Sequence, residues 1–256
     1  MCSSLKELSD RLFQIQEVHP FIEIIPAHVL TPQGALGSKN PVDSLYEAFG
    51  DFTPHIRMIE TGLSADPPIL EMIPELQNLT YISNSDTHSA DLRRIGREFT
   101  VVKPKELTYF SILESLRANE IIYTGEFSIA EGRFFLTGHR KGKVGHEKNG
   151  IFFYPNQTPE NGLCPQCKKP LTIGVLERAI KLSQIQGGTG EVPLKTKRDF
   201  ITLVPLLEVL SVVLKKGHTS KIVLQTYHQI VKEIPETALW LLQEQEIKQL
   251  FKDLNF

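Results

Sequence analysis

Four short apolar runs, Phe21–Pro26, Ile56–Glu60, Leu79–Asn84 and Phe99–Pro104, mark the front of the chain, each separated from the next by enough residues for a turn or a helix. That rhythm predicts an α/β fold with parallel strands, because parallel neighbours need a crossover between them. Ahead of the first run, Leu5, Leu8, Leu12 and Ile15 recur at helical intervals and predict an amphipathic helix ending near Pro20. A Gly- and Pro-rich loop from Pro26 to Pro41 leads to a helix near Val42–Phe49, and a further helix is expected over Glu106–Asn119, with Leu107, Phe110, Leu113 and Leu116 on its apolar face.

Beyond this unit the texture changes. The runs at 121–127 and 133–138 read as strands around a turn at Glu131-Gly132, followed by a polar, Gly-rich stretch and the pair Cys164-Pro-Gln-Cys167. A helix is predicted over 173–185, then a linker with Gly187-Gly188-Thr189-Gly190 and Pro193, then helical periods from Asp199 onward. The expected division is 1–123, 124–186 and 187–256, with no internal repeat.

A 41% hydrophobic content supplies a core, and a formal charge of −2 gives no global reason for nucleic-acid binding, so any such binding rests on local patches. The N-terminus lacks the apolar stretch of a secretory signal, and the run 201–214 is broken by Pro205 and Glu208, so a cytoplasmic chain without a membrane partner is expected. Three cysteines, two of them in Cys-x-x-Cys, fit a reducing compartment and metal or redox chemistry better than a disulfide framework.

In α/β folds functional groups gather at the carboxyl ends of strands. His28 follows the first run, Glu60 closes the second, and Asp86 and His88 follow the third. On extended backbone Asp86 and His88, two residues apart, share a face, and together they offer oxygen and nitrogen donors suited to zinc, manganese or iron. Each also has a plainer reading: His28 as a hydrogen-bonded loop residue, Asp86 as a helix N-cap, Glu60 as a solvated charge or the partner of an Arg.

The segments 25–32 (IPAHVLTP), 37–51 (GSKNPVDSLYEAFGD), 59–67 (IETGLSADP), 82–89 (ISNSDTHS), 95–98 (IGRE), 138–144 (GHRKGKV) and 164–179 (CPQCKKPLTIGVLERA) follow one another as signature blocks do in endonuclease Q, and the chain resembles that family. The resemblance implies a PHP-type distorted β/α barrel holding divalent metal ions (zinc, manganese or magnesium), with His28, Asp86 and His88 as ligands and Asn84 and Glu60 close by. Asp86, His88 and Glu60 would then be the catalytic set. It also implies hydrolysis of DNA 5′ of a deaminated base or an abasic site, with the lesion base leaving the stack.

The chain departs from the family pattern in definite places. No His-x-His occurs in it, although the family's barrel opens on that motif, so this sequence matches the back portion of such an enzyme. Roughly half a barrel is expected, with Phe21–Pro26, Met58–Glu60 and Leu79–Ser83 unusually exposed on its inner face, and with activity only when another chain supplies the front. Leu30 and Gln33 stand where members tend to carry aromatic residues. Cys164 and Cys167 look like half of a structural zinc knuckle, yet Gly142 stands where the family places a further Cys, which leaves His139 and His146 as substitute ligands. A knuckle held by turn hydrogen bonds and a redox pair are the alternatives. In the tail, Lys215, Lys216, Ser220 and Lys221 surround a turn in which Gly217 is a natural C-cap; it reads either as an ordinary helix connection or as a DNA phosphate contact. The competing functions are a non-catalytic DNA-binding or scaffold protein and a PHP-type phosphatase.

Overall fold

The computed structural model describes residues 4–40, 42–129 and 132–253. Helix α1 (Leu5–Val18) starts where the Ser4 hydroxyl accepts a hydrogen bond from the Glu7 amide, the cap that Ser favours. Its apolar stripe reaches the core through Leu12 and Phe13, the latter edge-on to Phe52 with ring centroids 5.0 Å apart. Helix α2 (Leu45–Phe49) is capped in the same way by Ser44.

The expected strand at Phe21–Pro26 does not form a ladder. Its carbonyls are spent elsewhere: Arg117 Nη2 donates to the Pro20 and Ile22 carbonyls at 3.0 and 3.2 Å, and Arg117 and Arg57 both grip Glu23, at 2.6 and 3.0 Å. A single bond of 3.0 Å from the Glu60 amide to the Pro26 carbonyl ties this segment to strand β1 (Met58–Glu60). Helix α3 (Pro67–Glu71), with Asp66 as its cap and Pro67 at its first turn, is the crossover to β2 (Thr80–Ile82), which pairs parallel with β1 in the register Ile59 to Tyr81. The α/β rhythm is therefore realised in this unit.

Strand β3 (Phe99–Val102) and helix α4 (Tyr109–Arg117) come next, and then β4 (Ile121–Phe127), which pairs antiparallel with β3. Leu107 lies outside α4 and is 91% exposed, and Phe110 is half exposed, so of the four residues of the expected apolar face Leu113 is the one that is buried. Strands β5 (Thr137–His139) and β6 (Ile151–Phe153) make a separate antiparallel pair that leads to helix α5 (Val175–Ile185). The tail is not wholly helical: β7 (Phe200–Leu203) joins β4 in parallel and completes the order β3-β4-β7. A four-residue strand beside an apolar helix has no period of its own, which is why the sequence reads as helix there. Helices α6 (Leu206–Val213), α7 (Lys221–Glu233), α8 (Glu236–Leu239) and α9 (Glu244–Asp253) follow.

The main core joins Phe52, Ile59, Ile69, Leu70, Tyr81 and Leu182, so α5 closes over the β1–β2 unit. This corrects the expected exposure: Met58 and Ile59 are fully buried, and Thr80 and Tyr81 nearly so. Burying this apolar surface is the strongest available stabilisation, and α3 and α5 supply the cover. A second cluster of Leu207, Val223, Tyr227 and Ile230 holds α6 and α7 together. It is tied to the rest by Arg97, whose guanidinium meets Glu236 at 2.6 Å and the Tyr227 hydroxyl at 2.8 Å. The C-cap of α6 also differs from expectation. Lys215, not Gly217, takes the left-handed conformation (φ 51°), and the amides of Lys215 and Lys216 bond back to Val212 and Ser211. That is a Schellman closure, whose bonds offset the strain of a side chain at this position. Among the described residues, no helix is long and apolar enough to cross a membrane.

Candidate active site

Strand β1 ends on Glu60, which is neither a solvated charge nor the partner of an Arg. Its carboxylate is 7% exposed; Oε2 accepts from the His28 amide at 2.8 Å and Oε1 from Asn84 Nδ2 at 2.9 Å. One buried anion thus fixes the loops that follow both Pro26 and β2. Gly62, two residues on, has φ +76°, and a Cβ there would fall 2.6 Å from His28 Cβ, so the close approach of these loops requires glycine.

His28 itself is held with φ at 33°, in the left-handed region. The Thr31 hydroxyl donates to the His28 carbonyl at 2.9 Å and lies 2.9 Å from His28 Nδ1. With its one proton so committed, the hydroxyl accepts from Nδ1–H, which leaves the Nε2 lone pair available to a metal. Asp86 is also left-handed, with φ at 43°, so it and His88 do not alternate along a strand as the simple spacing implies. They nevertheless turn together: His88 Nε2 lies 3.5 Å from Asp86 Oδ1. No helix follows Asp86, so it is not an N-cap. Two non-glycine residues in left-handed backbone, both facing one cavity, are the kind of local strain that collects at functional sites.

That cavity, of about 430 Å³, is lined by His28, Asp86 and His88 together with Gln33, Ser64, Phe127 and Phe134, and Arg94 and Arg133 bring positive charge to it. The three expected ligands of the barrel thus line one space. Leu30, at one of the positions that departs from the family pattern, is buried in the core, whereas Gln33 faces the cavity. Two imidazoles and one carboxylate are donor types suited to zinc or manganese, but these three side chains line the cavity without drawing their donor atoms into one tight group as the knuckle residues do.

Two carboxyls that the sequence reading passed over sit in the same region. Glu98 is 3% exposed; burial, against the Phe127 amide and with added repulsion from Glu60, pushes its carboxyl up to about 8. Glu126, 1% exposed, is raised well above the usual range by burial, although Thr61 and Ser83 hydroxyls each reach its Oε2 at 3.0 Å. The available signal was an acid at the start of one apolar strand, Glu98 before β3, and inside another, Glu126 in β4, since a buried acid must be neutral or paired.

The knuckle candidates also converge. His139, His146, Cys164 and Cys167 place their ligand atoms within 4.8 Å of one another, with Cys164 Sγ 3.3 Å from His146 Nε2 and Cys167 Sγ 3.3 Å from His139 Nδ1. Bonds of about 2.3 Å to sulfur and about 2.0–2.1 Å to nitrogen put an S···N edge of a zinc tetrahedron near 3.5 Å, so the set fits zinc. His139 Nε2 lies 2.8 Å from the Pro170 carbonyl, which fixes that nitrogen as the donor and turns the Nδ1 lone pair toward the cluster. Burial raises the Cys164 thiol, but the Cys167 and Gln166 amides, the Cys167 thiol and the Lys168 charge outweigh it, so the net shift is downward. Lys215, Lys216 and Ser220 stand in the turn between α6 and α7 and Lys221 opens α7; none of them lines the cavity or joins the cysteine–histidine group.

No family model matches the chain. It is 31% identical over 199 residues to the uncharacterized protein MJ0043 of Methanocaldococcus jannaschii, covering 75% of this chain and 23% of that one. It is 36% identical over 90 residues to the uncharacterized protein YqxK of Bacillus subtilis, covering 34% of this chain and 22% of the other. Among solved structures it resembles the lesion-specific endonuclease PfuEndoQ from Pyrococcus furiosus, with a TM-score of 0.75 and 26% identity over 96% of this chain and 59% of that one. It also resembles endonuclease Q solved with a 27-mer duplex carrying an abasic lesion at the active site, with a TM-score of 0.73 and 27% identity, over 88% of this chain and 54% of the other. The chain therefore spans somewhat over half the length of these nucleases and less than a quarter of the two sequence relatives. With a similar fold running through nearly its whole length and the sequence blocks in order, the chain resembles the endonuclease Q family in both structure and sequence.

Proposed function

We propose that this chain is part of a metal-dependent DNA repair endonuclease that hydrolyses the phosphodiester 5′ of a deaminated base or an abasic site. The observation that carries this reading is the meeting of His28, Asp86 and His88 on one cavity, in a fold shared with a lesion endonuclease. In this reading the β1–β2 and β3-β4-β7 sheets are part of a PHP-type barrel. His28, through Nε2, Asp86 and His88 would hold divalent metal ions, zinc, manganese or magnesium, while Glu60 positions the two loops that carry them. A divalent ion supplies an activated water and neutralises phosphate charge. Arg94 and Arg133 are placed to attract the DNA backbone, and Phe127 and Phe134 offer apolar walls to a base that has left the stack. His139, His146, Cys164 and Cys167 would hold a structural zinc, and a reducing, cytoplasmic setting suits their thiols.

Three ligands on an open cavity, in a chain that spans 59% of the solved nuclease, support a requirement for a complementing segment. The test is a nicking assay on duplexes with uracil, hypoxanthine or an abasic site, with Mn²⁺ or Mg²⁺. The chain alone should give background, and adding a chain that carries the His-x-His portion of a family member should give cleavage 5′ of the lesion. Strong duplex binding with no cleavage under any complementation would favour the non-catalytic DNA-binding reading, and hydrolysis of phosphomonoesters alone would favour the phosphatase.

A further inference from the structure

The strand pair β5–β6 carries a groove that the reading above leaves unused. A cavity of about 400 Å³ is lined by Arg133, Phe135, Arg140, Phe152 and Tyr154, and through Arg133 it adjoins the candidate active-site cavity. Phe152 and Tyr154 are 50% and 57% exposed, although an aromatic ring on a strand is ordinarily a core residue. They stand two residues apart at the end of β6 and so share a face, separated by about 6.6–6.8 Å along the strand. β6 is the outer strand of its sheet, pairing only with β5 among the described residues, so nothing in that sheet covers them.

The arginines give the groove its sign. The Arg140 guanidinium lies over the Phe134 ring, 4.1 Å from its centroid, and its Nη1 is buried with no hydrogen-bond partner among the described residues. Packing on an aromatic face fixes the plane of the guanidinium while leaving its donors to an incoming acceptor, and phosphate is the acceptor this planar fork suits best. Among the described residues, no acid lines the groove. Exposed rings on a strand, flanked by arginines and continuous with a site read as acting on DNA, have the make-up of a single-strand stacking platform.

We propose that Phe152 and Tyr154 stack bases of a single-stranded DNA segment next to the lesion, with Arg133 and Arg140 contacting its phosphates. The inference rests on the nuclease reading for its identification of DNA as the polymer, but it is tested without cleavage. Fluorescence anisotropy of a labelled oligodeoxythymidylate against the full chain carrying His88→Ala, in buffer without chelator, measures binding where no cut can occur. Phe152→Ala and Tyr154→Ala should each weaken binding about tenfold, and Tyr154→Phe should leave it unchanged, because stacking needs the ring and not the hydroxyl. Arg140→Gln should lower the slope of log K against log salt by about 0.7, the value of one phosphate on a single strand. Thermal melting of each variant shows whether it folds, and Tyr154→Trp, read by quenching of its fluorescence on DNA addition, reports the contact directly. Full binding by a folded Phe152→Ala/Tyr154→Ala chain would overturn the proposal, as would absence of quenching or a preference for RNA. Loss of nicking in a complemented enzyme whose platform still binds would count against the nuclease reading alone.

Discussion

The backbone amide of His28 donates a 2.8 Å hydrogen bond to Glu60 Oε2, across 32 residues of sequence, and so ties a left-handed loop residue to the end of β1. Glu60→Ala would leave that amide and Asn84 Nδ2 without their anion. Losing hydrogen bonds to a buried charge costs about 1.5–3 kcal/mol, so urea unfolding should show a loss of that order, with Glu60→Gln intermediate. Equal stability in all three chains would mean that Glu60 does not hold the loops.

The four-residue knuckle should retain zinc through purification at one ion per chain. Cys164→Ser and Cys167→Ser should lose that ion, measured by elemental analysis, and lower the melting temperature, because a structural site converts binding energy into folding energy. A chain with no bound metal and the same melting temperature as the Cys164→Ser variant would show a knuckle held by turn hydrogen bonds instead.

Stability should fall as pH rises through the window set by Glu98. The folded chain keeps that proton up to about 8 because the carboxyl is buried, whereas an unfolded chain releases it near the ordinary value of 4.5. Between these limits the folded form binds more protons, so its advantage is complete below the window and declines across it. Glu98→Gln cannot titrate; it should flatten this dependence and stabilise the chain at the alkaline end by an amount on the order of a few kcal/mol. The comparison requires urea unfolding of both chains at the two ends of the window, and identical profiles would place an ionised Glu98 in the fold.

His28→Ala, Asp86→Ala and His88→Ala should each abolish lesion-dependent nicking in the complemented enzyme while leaving melting within a few degrees of the parent. For Asp86 and His88 the reason is exposure: their side chains are 47% and 88% exposed, and surface substitutions cost little stability, usually within about 0.5 kcal/mol. Lesion-specific cleavage that survives His88→Ala would place the active site elsewhere.

What the sequence determined by itself was local. Helical spacing placed α1 and α5, the apolar runs placed β1 to β4, and strand-end position singled out His28, Glu60, Asp86 and His88, because hydrophobic period and chain punctuation are written residue by residue. What only the tertiary structure decided was nonlocal. Phe21–Pro26 has the composition of a strand but gives the carbonyls of Phe21, Ile22 and Pro26 to Tyr109, Arg117 and Glu60 in turn, and β7 is a strand because β4 offers an edge beside it; none of these partners is visible from the segment itself. The same reason applies at the sites. Glu98 and Glu126 are charged residues by sequence and buried acids by packing, and His139 and His146 become partners of Cys167 and Cys164 only when the end of β5 and the loop after it fold against the Cys-x-x-Cys turn. The chain's composition supplies the donors, but the environment that sets their charge and their neighbours comes from long-range packing.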